Sequence, residues 1–384
     1  MSRSTRHGAA ADAPPSRRTP SRPTVTTPRR RAVVVVAAAL IAVVLAACTP
    51  AASAAGPAKT TGPATELRLG YFANVTHAPA LVGVGEGLFQ RRLEAAGTPT
   101  LTTQVFNAGP AAIEALNAGA IDATFIGPNP AINGFIQSDG DALRIVAGTT
   151  SGGAQLVVRP GITTAQDLVG TNLATPQLGG TQDVALRSWL HDQGLTSPVG
   201  GGGDVTITPT ENAQTLQLFV DGELDGAWLP EPWASRLVVD AGAHVLVDEK
   251  DLWPGGQFVT TQLIVSRTFL AAHPETVTAL LEGLQDSIGW LDANAGSAPT
   301  VVNAQLEAAG GKPLSAEVLA RAFTGIAFST DPLAGTLTTL LAHGATAGTT
   351  HEASIEGIYD LRLLNALRKA SGAEPVSADG LGEE

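Results

Sequence analysis

The sequence predicts an α/β protein built as two lobes around a ligand cleft, with a helical C-terminal region. Three observations carry that expectation. Short apolar strands alternate with helices of about ten residues, the pattern of βαβ units and a mainly parallel sheet. The alternation runs once from Glu66 and restarts near residue 150, giving two sets of similar size. Polar turns rich in Gly and Pro follow the strands, at the carboxyl ends where open α/β sheets hold ligands.

The elements follow in order. "LRLGYF", "LTTQVF", "IDATFIG" and "LRIVAGTT" read as strands of the first set, and "APALVGVGEGLFQRRLEAA", "GPAAIEALNAG" and "NPAINGFIQSDG" as its helices. In the second set, "GAQLVVRP", "TNLATP", "DVTITP", "LDGAWLP" and "AHVLVD" are strands. "TQDVALRSWLHDQG", "NAQTLQLFVDG" and "PWASRLVVDAG" are the helices between them. "LWPGGQFVTTQLIVS" reads as one long strand, after which the chain turns helical. A long helix starts near Pro274, which suits a first helical turn, and others cover about Ser315–Ala327, Leu333–His343 and Ile358–Lys369. The expected organisation is a leader over 1–47, a tether over 48–65, lobe 1 over 66–150, lobe 2 over 151–256, a return to lobe 1 over 257–370 and a disordered tail over 371–384.

The leader carries Arg29, Arg30 and Arg31, then an unbroken apolar run from Ala32 to Ala47. That run is shorter than the roughly 20 residues a spanning helix needs, so it reads as an export signal. Its end, Leu45-Ala46-Ala47-Cys48, resembles the lipobox of bacterial lipoproteins. The resemblance implies a lipidated Cys48 that anchors the chain at the outer face of the cell membrane. "TPAASAAGPAKTTGPAT" then reads as a flexible spacer. Because Cys48 is the only cysteine, disulfides and Cys-based metal or nucleophile chemistry are excluded. The formal net charge is −12. The leader holds eight Arg and one Asp, so without it the balance is about −19. Nucleic acid is therefore not an expected partner, whereas a small anion is compatible, since local dipoles set a local site.

Catalytic signatures are missing. No Gly-Lys-Ser/Thr follows a glycine cluster, and "GVGEGL" has Leu88 where a dinucleotide fingerprint needs its third Gly. "HEASI" lacks the second His of a zincin, and no G-x-S-x-G elbow occurs. The histidines beyond the leader are scattered, so no metal or cofactor is expected.

The chemistry that is present lies in the turns. "YFANVTHAP" offers Phe72, Asn74 and His77; "GPNP" offers Pro128 and Asn129, the latter as a cap or a ligand donor. Ser151 and Gly152 sit at the crossover between the sets, where small residues also suit a hinge. "LPEPW" offers Glu231, awkward beside an anion and so expected to bond a lobe-closing donor or the chain itself. Its Trp233 either packs an alkyl tail or belongs to the core. "TPQLGGTQD" places Gln177, Gly179, Gly180 and Thr181 where a strand hands over to a helix. Paired glycines there make either a plain turn or an anion cradle, with backbone N–H groups facing a negative charge.

In order, "LRLGYFANVTHAPALVGVGEGLF", "FNAGPAAIEALNAGAIDATFIGPNPAINGF", "LATPQLGGTQDVALRSWL", "DGAWLPEPWASRLV" and "YDLRLLNALRK" closely resemble ABC-importer solute-binding proteins of the aliphatic-sulfonate, taurine and nitrate branch. The resemblance covers about residues 66 to 370. It implies a two-lobed periplasmic-binding-protein type II fold that closes on its ligand by a hinge. It also implies a monomer that hands a small, sulfonate-like anion to a permease and its ATPase. Nitrate, taurine, bicarbonate or a thiamine-precursor pyrimidine are alternative ligands. An enzyme on the same fold is disfavoured, because the similar pyrimidine-precursor synthases rely on a Cys-rich segment that this chain lacks. In that setting "TPQLGGTQD" is expected to be the cradle, with Gly179, Gly180 and Thr181 donating N–H groups.

Overall fold

The computed structural model describes residues 61–384, within one compact unit that spans Pro57–Glu384. The expected leader, the lipidation site Cys48 and most of the expected tether lie outside the described residues. Among the described residues, no helix is long and apolar enough to cross a membrane.

Lobe 1 opens with β1 (Glu66–Phe72), α1 (Ala78–Gly85), α2 (Leu88–Ala95), β2 (Thr100–Phe106), α3 (Gly109–Asn117), β3 (Ala123–Ile126), α4 (Pro128–Gln137) and β4 (Leu143–Gly152). Lobe 2 holds β5 (Ala154–Val158), β6 (Asn172–Thr175), α5 (Thr181–Asp192), β7 (Thr206–Pro209), α6 (Asn212–Asp221), β8 (Gly226–Pro230), α7 (Trp233–Ala241) and β9 (His244–Asp248). The chain returns to lobe 1 through β10 (Val259–Ser266), α8 (Arg267–Ala272), α9 (Pro274–Ala293) and α10 (Ala298–Ala308). It ends with α11 (Ala316–Phe323), β11 (Ile326–Phe328), α12 (Leu337–Thr346), β12 (Tyr359–Asp360), α13 (Arg362–Ala370) and β13 (Gly382–Glu383).

The lobe 1 sheet runs β13-β12-β4-β10-β3-β1-β2, with β11 on the far end of β4; the lobe 2 sheet runs β7-β6-β8-β5-β9. β10 lies antiparallel between β3 and β4, so the returning strand locks into the middle of the first sheet. Period-2 alternation fills both faces of the second sheet. Leu156 and Trp228 pack on one face, while Val157, Ala227 and Leu229 pack on the other. The first crossover is abrupt: β4 ends at Gly152 and β5 begins at Ala154, with Gly152 and Gly153 at φ +78° and +77°. Left-handed φ values at consecutive residues are accessible at low cost only to glycine.

Several elements differ from expectation. The segment 78–96 forms two helices, broken at Gly87 with φ +65°. "LWPGGQFVTTQLIVS" is short 3-10 turns followed by β10, because Gly255 and Gly256 take positive φ. The tail over 371–384 is not disordered: Val376 and Ala378 are buried, and β13 pairs with β12. The end of the expected tether is also pinned, by Thr61 N–H to the Ala272 carbonyl (2.8 Å) and Ala64 N–H to Thr276 Oγ1 (2.9 Å).

Candidate functional site

A cavity of about 30 Å³ lies where the two lobes meet, room for roughly two waters. Helix starts from both sheets converge on it. From lobe 1 come Asn74, Thr76 and His77 ahead of α1, Asn107–Gly109 at α3, and Gly127 with Pro130 at α4. Thr260 and Thr261 of β10 complete that side. From lobe 2 come Pro176 and Gly180–Gln182 at α5, Asn212 at α6 and Pro230 at the end of β8. Among the described residues, no Asp, Glu, Lys or Arg lines the cavity. Three lining side chains carry a buried oxygen with no partner among the described residues: Thr181 Oγ1, Thr261 Oγ1 and Asn212 Oδ1. Buried polar atoms are normally satisfied, so these orphans are open to a guest.

Among the described residues, His77 is the one titratable group on the wall. It is buried, its ring lies 4.4 Å from that of Phe72, and its Nδ1 accepts the Phe72 N–H at 3.3 Å. Burial pushes its pKa down to about 3, so the ring is neutral at ordinary pH. With Nδ1 accepting, its single proton sits on Nε2, and the imidazole adds a neutral donor.

The lobes touch directly around the cavity. Trp233 Nε1–H donates to Asn74 Oδ1 at 2.9 Å, and Asn107 Nδ2–H to Glu211 Oε1 at 2.6 Å. Gly127 approaches Thr181 so closely that a Cβ there would collide with Thr181 Oγ1. A third bridge lies off the cavity. Arg321 of α11 donates to Glu231 Oε1 (2.9 Å), Ser235 Oγ (2.7 Å) and Gln155 Oε1 (2.6 Å). Burial pushes the Glu231 carboxyl pKa up, against the pull of Ser235 and Arg321.

Of the residues singled out in the sequence, Phe72, Asn74, His77, Gly180 and Thr181 meet at the cavity. Pro128, Asn129, Ser151, Gly152, Gln177, Gly179, Glu231 and Trp233 do not line it. Asn129 is not the cap of α4, a place held by Gly127; its Nδ2–H donates to the Leu340 carbonyl at 2.9 Å. Ser151 Oγ accepts the Phe258 N–H at 3.3 Å.

The cradle itself is corrected in detail. The Gly179 N–H donates to Asp183 Oδ2 (3.0 Å) and the Gly180 N–H to the Gln177 carbonyl (3.0 Å), so the turn consumes both glycine donors. The free donors lie one step on: the backbone N–H groups of Thr181, Gln182 and Asp183 have no partner among the described residues, as the first turn of a helix dictates. Thr76, Asn107, Gly109, Gly127, Pro130, Gln182, Asn212, Thr260 and Thr261 also line the cavity without having been singled out. Among the described residues there is no group of three or more His, Cys, Asp or Glu that could hold a metal.

Two α/β sheets joined by crossovers and closed on a cavity of helix N-termini define a ligand-binding protein of the periplasmic-binding-protein fold. Solved structures agree on that fold. The alkanesulfonate-binding protein of Xanthomonas axonopodis pv. citri, bound to MOPS, superposes with TM-score 0.61 at 22% identity, over 75% of this chain and 94% of its own. The nitrate-binding protein of Synechocystis PCC 6803 gives TM-score 0.62 at 15% identity, over 83% and 91%. A family model described as NMT1-like matches residues 60–305, and the chain belongs to that family. Among curated relatives, the taurine-binding periplasmic protein of Escherichia coli is 24% identical over 209 residues, 54% of this chain and 62% of that protein.

Proposed function

We propose that the protein is the extracytoplasmic substrate-binding component of an ABC importer. It captures a small organic anion, an aliphatic sulfonate in the first instance, and delivers it to a permease driven by an ATPase. One observation carries this reading: helix N-termini and neutral donors surround a cavity with no ionised wall residue among the described residues. A helix start favours a negative charge through its free N–H groups and dipole, and a neutral wall repels no anion. The taurine-binding relative and the alkanesulfonate-binding fold neighbour support a sulfonate. The protein binds and releases its ligand without chemistry, acts as a monomer, and is held at the outer face of the cell membrane by a lipid on Cys48.

Nitrate or bicarbonate is the second reading. The nitrate-binding fold neighbour supports it, and helix starts around a neutral wall suit a trigonal anion as well as a sulfonate headgroup. The test is a thermal-shift panel on the chain from about residue 60. It compares alkanesulfonates, taurine, nitrate, bicarbonate, sulfate and pyrimidines, since a ligand of the folded state raises Tm by mass action. Shifts with alkanesulfonates alone support the first reading; shifts with nitrate or bicarbonate alone favour the second. A shift with only a neutral or cationic compound rejects the anion site.

A further inference from the structure

The first turn of α5 contains a carboxylate. Asp183 is the third residue of the helix whose free N–H groups face the cavity, and it is fully buried. A negative charge there suits the helix but should repel an anion held at the same helix start. Its oxygens accept from Thr175 Oγ1 (2.9 Å), the Gly179 N–H (3.0 Å) and Arg187 Nε (3.0 Å). Arg187, one turn on, is 4% exposed and also donates to the Ser197 carbonyl at 2.7 Å. It does not line the cavity.

We infer that Arg187 is a positioning residue for ligand binding: it cancels the charge of Asp183, so that this carboxylate can shape the cradle without expelling the anion. Asp183 holds the 176–180 turn by its Thr175 and Gly179 bonds, which leaves the next N–H groups pointing outward from the helix start. The inference rests on the anion reading and assigns the buried pair a part in it. Charge, and not bulk or shape alone, is what Arg187 contributes.

The charges give opposite signs to two substitutions. Arg187→Met leaves Asp183 uncompensated beside the ligand, whereas Asp183→Asn leaves Arg187 as a buried positive charge behind it. A unit charge within a helical turn of the ligand at an intermediate dielectric alters affinity by about tenfold or more. Isothermal titration of the full chain with nitrate, bicarbonate and methanesulfonate reads the effect, with circular dichroism confirming the fold of each variant. Arg187→Met is expected to weaken whichever anion the wild type binds by about tenfold or more. Arg187→Lys should keep the affinity within a few-fold, and Asp183→Asn should tighten it. A purely structural pair would lose affinity in all three variants, and that pattern overturns the inference. If Arg187→Met does not fold, the sign of the Asp183→Asn effect decides alone: weaker binding refutes it. Wild-type protein that binds an anion no better than Arg187→Met refutes this inference only. Wild-type protein that binds none of the three anions removes the anion reading and this inference together.

Discussion

In lobe 1 the helices that begin at the cavity carry proline in their first turns: Pro79 in α1, Pro110 in α3, and Pro128 with Pro130 in α4. In lobe 2 the corresponding helices begin Thr181-Gln182-Asp183 and Asn212-Ala213-Gln214, with no proline. Proline fixes φ for a helix start but has no N–H. Lobe 1 thus gives up backbone donors where α4 faces the cavity and contributes shape, Nε2 of His77 and hydroxyls. Lobe 2 presents unbonded amides and the positive end of the dipole. The receptor proposed above would gain from such a division if it closes on a hinge. In that proposal the anion settles first on the lobe that stabilises its charge, and the second lobe closes over it as a neutral lid.

The largest break in this division is Gly180→Asp. A carboxylate at the lobe 2 wall meets the ligand with like charge, and affinity should fall by roughly a hundredfold or more. Calorimetry that finds wild-type affinity would mean the anion does not rest on α5. Gly127→Val attacks the lid. Its added atoms collide with Thr181 Oγ1, so the lobes cannot meet, and about tenfold is expected to be lost. Small-angle scattering should show a more open molecule even with ligand in excess; unchanged dimensions would refute the steric account.

The two lobes also differ in their buried titratable groups. His77 in lobe 1 is held neutral, its pKa pushed down to about 3. Beside the lobe 2 core, Glu249 takes the Trp228 Nε1–H at 2.8 Å, and burial pushes its carboxyl up to about 7. The signs follow from proton linkage. His77 binds its proton more readily when unfolded, so its contribution is full above pH 6.5 and falls away as pH drops toward 3. Glu249 holds its proton more tightly when folded, so its contribution is full below pH 4.5 and is lost as pH rises through 7, at a cost of about 3 kcal/mol. Glu249→Gln should therefore flatten the alkaline limb and raise Tm at pH 8 relative to wild type. An unchanged pH profile of Tm would show that Glu249 ionises freely.

How much of this was legible in the sequence differs between the elements and the wall. The alternation of strands and helices and the long helix after Pro274 are local patterns, and the fold follows them. α10 carries no such clear local signal, because adjacent β-branched residues, Val301 and Val302, weaken a helical reading of "SAPTVVNAQLEA". Gly179 and Gly180 stand at a helix start, as their turn suggests, yet their amides are committed to Asp183 and Gln177. Which N–H groups remain free depends on a buried side chain, and no spacing rule reveals that. Asn107 and Asn212 follow the carboxyl ends of β2 and β7, where the turn logic applied to "TPQLGGTQD" would have found them. Thr260 and Thr261 had no such signal, since they reach the wall only because β10 returns to the first sheet.

The smallest expected effect runs the other way and tests the division most directly. Pro130 lines the cavity at the third position of α4, where an amide would have no partner within the helix. Pro130→Ala gives lobe 1 that missing donor. A hydrogen bond to a charged group is worth about 1.5–3 kcal/mol when well aimed; a gain of two- to tenfold in anion affinity is the expected outcome for an imperfectly aimed one. Stability should move in the opposite direction, by about 0.4–1 kcal/mol, because the unfolded chain regains the freedom that proline denied it. Tighter binding in a less stable protein cannot come from general rigidity, so the pair of measurements isolates the donor. If affinity stays level while stability falls as predicted, the anion lies against lobe 2 beyond the reach of α4, and the prolines of lobe 1 serve the helix starts alone.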